Sequence, residues 1–215
     1  YKRQHPFLLN SKDFIEKQNK EANKDTFKIK YIDSIKSWSA PFVMSIANTR
    51  VVRRSVELHE LNQSGYGSDF TYKEFMNVKK YSSALMVSIG LAILGLMIVS
   101  PISSLFRKLF AKPGNGPDKK TRDNGWFESI FIGKNTNNEL YKLRIYGDGD
   151  PGYKTTAKFI CESALCLVKS DGYLENTNKG GVLTTATGLG DHLIKRLKNA
   201  DILFEGPEKL VNTWT

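Results

Sequence analysis

The chain has 215 residues, 40% of them hydrophobic and 25% charged, so it can bury a core in one or two domains and is not a disordered or low-complexity polypeptide. Its net charge of +10 is unevenly placed: residues 1–125 hold 21 Lys/Arg against 11 Asp/Glu, and residues 126–215 hold 11 of each. A basic block of that kind attracts phosphate, either of nucleic acid or of anionic lipid headgroups. Three scattered histidines (His5, His59, His192) have no ligand spacing and exclude an obvious metal site, and Cys161 and Cys166 fit no C-x-x-C pattern and are expected as buried, reduced thiols.

In chain order, residues 1–37 form a polar, basic N-terminal extension. Within it SKDFIEKQNKEANKDT (11–26) has almost no apolar face and predicts a solvated helix or loop. FKIKYIDSI (27–35) alternates Phe27, Ile29 and Tyr31 with Lys28 and Lys30, the pattern of a half-buried strand. Residues 38–80 open an α/β domain: VVRRSVELHEL (51–61) predicts a helix with Val52, Val56 and Leu58 towards one side, and SGYGSD (64–69) predicts a turn.

From Tyr81 to Phe106 no residue is charged. A helix over 81–100 would span about 30 Å, the hydrocarbon thickness of a bilayer, so residues 81–111 are expected to insert in a membrane. The inserting side chains would be Leu85, Met86, Val87, Ile89, Leu91, Ile93, Leu94, Leu96, Met97 and Ile98, with Ala84, Ser88 and Ala92 as a stripe of small residues for close helix packing. After Pro101, Leu105, Phe106, Leu109 and Phe110 recur at helical spacing opposite Arg107 and Lys108, which predicts an amphipathic helix along anionic headgroups. Because single spanning would separate strands that must share a sheet, a dip into the membrane with return is expected. The flanking lysines and arginines then favour a lipid surface over nucleic acid, which no motif supports.

KPGNGPDKKTRDNG (112–125) reads as a linker. Residues 126–215 complete the α/β domain: strands over WFESIFI (126–132) and ELYKLRIY (139–146), and a helix over 152–169 with Ala157, Ile160, Cys161, Ala164, Leu165 and Val168 on its apolar face. A further helix is expected to about Asn199, then a strand over 202–205. The fold class predicted is α/β (α+β), a mixed sheet with flanking helices interrupted by the membrane-inserting segment.

Gly147, Gly149 and Gly152 spell G-x-G-x-x-G between a strand and a helix, the fingerprint of a dinucleotide loop. Asp148 and Asp150 place carboxylates where a pyrophosphate would sit, and no second strand ends in an acidic residue at the expected distance. The string is therefore expected to be a strand-to-helix turn, and no cofactor is expected on this chain.

WSAPF (38–42), VVRRS, the uncharged run, GDGDPGYKTTAKFICESALCLV and GGVLTTATGLGDHLIKRLKNADILFE together resemble the C-terminal half of saccharopine dehydrogenase-like oxidoreductases, over about Trp38 to Glu205. The strongest pieces are Pro151-Gly152-Tyr153 and the run from Gly180 to Thr184. The resemblance implies a nucleotide-binding Rossmann half outside this chain, a hydrophobic insertion between the motifs, and association with lipid droplets, endoplasmic reticulum or mitochondria. Tyr153, Thr156 and Thr184 could then line a substrate cleft. As it stands, with Tyr1 in place of an initiator Met, the chain reads as a fragment or processed product. It is expected to act as a non-catalytic, membrane-anchored accessory subunit of a larger assembly. The alternative is the substrate-side half of an NAD(P)-dependent oxidoreductase whose Rossmann domain is supplied separately.

Overall fold

In a computed structural model, which describes residues 5–62, 65–67, 69–99, 114, 116–169 and 181–210, the chain divides into two compact units. The first comprises Tyr1–Pro113 with Val182–Thr184, the second Gly114–Gly181 with Thr185–Thr215.

In the first unit the Ser11 hydroxyl accepts a hydrogen bond from the Phe14 N–H at 3.3 Å and starts α1 (Lys12–Lys17), an ordinary N-cap. The helix is not wholly solvated: Phe14 is buried, and its ring meets Phe7 edge-on at 6.3 Å beside Val56. Three short strands, β1 (Lys30–Ile32), β2 (Ser37–Ala40) and β3 (Met76–Val78), pair antiparallel in that order, with Trp38 opposite Tyr31 on one side and Val78 on the other. Only the middle of the expected 27–35 strand pairs, since Asp33–Ile35 form a 3-10 turn, and Phe27 is exposed. Helix α2 (Ser45–Leu61) begins six residues before the expected 51–61 segment. Its buried stripe repeats at helical spacing, but Thr49, Arg50, Arg53, Ser55 and Glu57 occupy it alongside Val56.

The uncharged run forms α3 (Tyr81–Val99), 19 residues and about 28 Å long. Among the described residues no helix is long and apolar enough to cross a membrane, which overturns the expected membrane-inserting segment. The first turn of α3 is committed to the sheet: Tyr81 meets Trp38 edge-on at 5.0 Å and Ala84 is fully buried. Of the described residues that leaves 85–99 of this helix, fewer than the roughly 20 a span requires. Leu85, Met86, Ile89, Ile93 and Leu96 are exposed, and Val87, Leu91, Leu94 and Met97 half-buried. The side chain of Ile98 and the expected interfacial helix with Leu105, Phe106, Arg107, Lys108, Leu109 and Phe110 fall outside the described residues.

In the second unit Asp118 caps a short helix, α4 (Lys119–Asn124), inside the stretch expected to be linker. It leads into β4 (Trp126–Lys134), β5 (Leu140–Asp148), α5 (Lys154–Lys169), α6 (Thr185–Asn199, broken at Gly190) and β6 (Ile202–Leu210). The strands form an antiparallel sheet in the order β4-β5-β6. On one face Phe127 meets Phe159 of α5 edge-on at 5.8 Å, and Cys166, Leu189, Leu197 and Ile202 are buried. On the other, Arg144 bridges Glu128 (2.5 Å) and Glu205 (2.8 Å), and Trp126 stacks on Tyr146.

Two further expectations need correction. The single mixed sheet is replaced by two separate three-stranded antiparallel sheets, because the early and late strands belong to different units. The stripe on α5 is inverted: Ile160, Leu165 and Val168 are 67%, 37% and 80% exposed and Cys161 is exposed, whereas Thr155 and Cys166 point inward. A helical period alone does not say which face the sheet takes.

Candidate functional site

The turn between β5 and α5 carries the G-x-G-x-x-G string, and its geometry shows what the glycines do. Gly149 has φ of +102°, a conformation that favours glycine, and its N–H donates to the Gly125 carbonyl at 2.7 Å. The Asp150 N–H donates to the Arg122 carbonyl at 2.9 Å. The Asp150 carboxylate then accepts from the Tyr153 N–H (2.9 Å) and the Lys154 N–H (3.1 Å), and its carbonyl from the Thr155 N–H (3.0 Å). A pyrophosphate needs these amides free at a helix N-terminus. Here the Arg122 and Gly125 carbonyls take two and Asp150 three. Asp148 adds an exposed carboxylate, which accepts from the Tyr146 hydroxyl at 2.7 Å. These residues do not fit a dinucleotide.

Asp150 is thus the cap of α5. Asp150→Ala is expected to destabilise the second unit by about 1–2 kcal/mol, a fall in Tm of roughly 4–8 °C for each kcal/mol, while Asp150→Asn, which keeps one acceptor oxygen, is expected to retain most of the stability. Differential scanning calorimetry of the two variants checks it, and equal melting of the alanine variant and the parent would remove the cap assignment. Close by, Asp123 accepts from Lys119 and, at 2.8 Å, from Lys154, which pulls its carboxyl down to about 2.

Of the three residues expected to line a cleft, Tyr153 and Thr156 belong to the second unit and Thr184 to the first. Tyr153 is exposed, and the Thr156 hydroxyl donates to the Pro151 carbonyl at 2.6 Å, a local helix-start bond. Thr184 belongs to the first unit, where its hydroxyl lies 2.7 Å from that of Ser55 on α2. A cavity lined by Glu162, Arg196, Asn199 and Ala200 measures about 130 Å³, below the size of a substrate pocket. Among the described residues no three His, Cys, Asp or Glu cluster as metal ligands.

A concentration of buried charge lies instead on α2, in residues the sequence reading did not single out as a site. Arg53, 2% exposed, donates to the side-chain (3.2 Å) and main-chain (2.9 Å) oxygens of Asn23, to the Pro6 carbonyl (2.7 Å) and to the Tyr72 carbonyl (3.3 Å), and lies over the Phe7 ring. Burial lowers its pKa, and Arg50 adds to the effect. Arg50 grips Asp25 through two bonds of 2.6 Å. Burial pushes the Glu57 carboxyl up, but bonds from Ser11, Arg54 and Asn10 outweigh it and hold the pKa below its ordinary value. This arrangement fastens residues 5–25 to α2. The fourfold backbone-carbonyl and amide satisfaction of Arg53 leaves it no free donor fork for a substrate, so the cluster acts as a clasp. The signal available in the sequence was the i, i+3, i+7 spacing of Arg50, Arg53 and Glu57.

Comparison with known proteins revises the resemblance. The chain is 35% identical over 173 residues to a protein of Mycobacterium tuberculosis provisionally named a trans-acting enoyl reductase. It is 31% identical over 174 residues to the trans-acting enoyl reductase of Mycobacterium bovis, and 30% identical over 174 residues to that of Mycobacterium ulcerans. No family model and no solved structure matches. The expected likeness to saccharopine dehydrogenase-like proteins is therefore corrected: these relatives carry a different name, and the Pro151-Gly152-Tyr153 piece is helix-start chemistry that does not specify a family. The expected non-catalytic, membrane-anchored role falls with it, since the relatives are named as enzymes and no described helix is long and apolar enough to cross a membrane. The lipid-droplet, endoplasmic-reticulum and mitochondrial association, which rested on the resemblance and the apolar run, loses both supports. Each alignment covers 77% of this chain and 40% of the relative, so the chain is similar to trans-acting enoyl reductases while spanning about two fifths of their length.

Proposed function

We propose that the chain is a portion of an enoyl reductase, a protein that reduces the carbon–carbon double bond of an acyl substrate presented by another protein. The observation that carries this reading is the alignment of 77% of the chain with proteins named for that activity. The 145–156 turn is not the dinucleotide site in this reading. Its amides are committed to Gly125, Arg122 and Asp150 within the chain, and its carboxylates oppose phosphate. The chain contributes two α/β units to the enzyme's framework, and a nicotinamide nucleotide is held by residues outside this turn. The partner is a protein bearing an acyl thioester, and nucleic acid has no part.

NADPH titration and turnover test this reading. The chain alone is expected neither to bind NADPH at micromolar concentration nor to oxidise it with a trans-2-enoyl thioester. Fused to the segments of the M. tuberculosis relative that it does not align with, it is expected to do both. A fusion that binds NADPH but leaves every enoyl thioester unreduced overturns the activity. Micromolar binding by the chain alone, abolished by Gly149→Ala, overturns the assignment of the turn.

A further inference from the structure

The two edges of the second sheet are treated differently. Opposite Lys142 and Arg144 of β5, strand β6 carries an extra residue at Gly206-Pro207, and Glu205, Glu208 and Lys209 surround it. A bulge, a proline and charges are the usual means of preventing an edge from pairing. Strand β4 has none of them. It runs nine residues in unbroken register from Trp126 opposite Asp148 to Lys134 opposite Leu140, without proline, and Glu128 and Lys134 are its only charged residues. Among the described residues it has a partner strand on one side only, and Trp126 is 60% exposed. A long, regular edge of this kind is a template for another strand.

We infer that β4 pairs antiparallel with β4 of a second copy of the chain, about a two-fold axis through Ile130, joining two sheets into one of six strands. The sequence of the strand is complementary to itself in that register. Ile130 meets Ile130, Ser129 meets Phe131, and Phe127 meets Gly133, where the missing side chain makes room for the ring. Trp126 meets Lys134, an aromatic face against an ammonium, and Glu128 has the partner's Lys134 on its diagonal. No like charges face each other. Every residue of β4 gains a partner in this register, whereas sliding it in either direction leaves the strand ends unpaired.

Sedimentation equilibrium of the whole chain tests the inference, with a dimer expected at tens of micromolar. Ile130→Glu places two carboxylates face to face across the axis, while Arg144, opposite Ile130 within each chain, keeps the variant compatible with its own sheet. It is expected to weaken dimerisation by about tenfold or more at unchanged circular dichroism. A cross-link is the second, independent reading. In a Cys161→Ser background, Ile130→Cys is expected to form an interchain disulfide under mild oxidation, since residues opposite one another across a ladder have Cα atoms within bridging distance. Ser129→Cys, which faces Phe131 of the partner, is expected not to. A wild-type monomer, a dimer that Ile130→Glu leaves intact, or equal cross-linking of the two cysteine variants each overturns the pairing. None of these outcomes bears on the enoyl-reductase reading.

Discussion

Arg53→Ala is expected to destabilise the first unit by about 3–5 kcal/mol, enough to unfold a marginal domain. The guanidinium is the common partner of three chain segments: it holds Pro6 and Asn23 of the N-terminal stretch and the Tyr72 carbonyl against α2. Removing it leaves those buried acceptors without donors, and each such loss costs roughly 1–3 kcal/mol. It also uncovers Phe7, one of the three residues at the centre of the small apolar cluster. Lysine is not expected to substitute, because one ammonium cannot reproduce the planar fork that reaches Asn23, Pro6 and Tyr72 together. Urea unfolding followed by Trp38 fluorescence, with Trp126 and Trp214 replaced by Phe, measures the effect in this unit. The control is Arg54→Ala, whose side chain is 30% exposed and pairs with Glu57 within the helix. It is expected to cost no more than about 1 kcal/mol. Equal losses for the two arginines would mean the clasp does not hold the unit together.

In the second unit the largest expected effect of a small substitution is at Gly206. Its φ of +98° is unfavourable for any other residue, and an added Cβ would sit 2.6 Å from the Lys142 carbonyl oxygen and 3.0 Å from the Glu208 nitrogen. Both are backbone atoms of the paired strands, so no side chain can swing aside. Gly206→Ala is expected to lower stability by about 2–4 kcal/mol, from the backbone strain and the displaced ladder. Gly133→Ala on β4, with no atom of its own chain within 4 Å of the added methyl, is expected to stay within about 0.5 kcal/mol of the parent at concentrations where the chain is monomeric. Thermal melts of the two variants give the comparison. A Gly206→Ala protein that melts with the parent would show that the bulge is not the strained point of the sheet.

Local chemistry made several elements legible in the amino-acid sequence. The alternation of WFESIFI and ELYKLRIY marked β4 and β5, and helical spacing marked α2, α5 and α6. The carboxylates of the GDGDPGY string argued against a phosphate loop, and the Asp150 cap is the structural form of that argument. Each of these depends on residues within a few positions of one another, where period, turn chemistry and charge act directly.

What only the tertiary structure decided is where each face goes. Ile160, Leu165 and Val168 look like a core stripe on α5, yet the sheet packs on the opposite side. The sequence places Val52, Val56 and Leu58 towards one side of α2, yet the N-terminal stretch folds over Arg53 and Glu57 and satisfies them with carbonyls and amides. The uncharged run from Tyr81 reads as a membrane segment by length, but Trp38, brought next to it by the sheet, takes its first turn. The chain by itself determined its basic and neutral parts, its helical and extended periods, and a glycine turn that carries two carboxylates. Which strands share a sheet, which charges are buried and whether an apolar helix starts free or packed depend on contacts between residues tens of positions apart. Those are settled by the free energy of the assembled unit, to which local period contributes only one part.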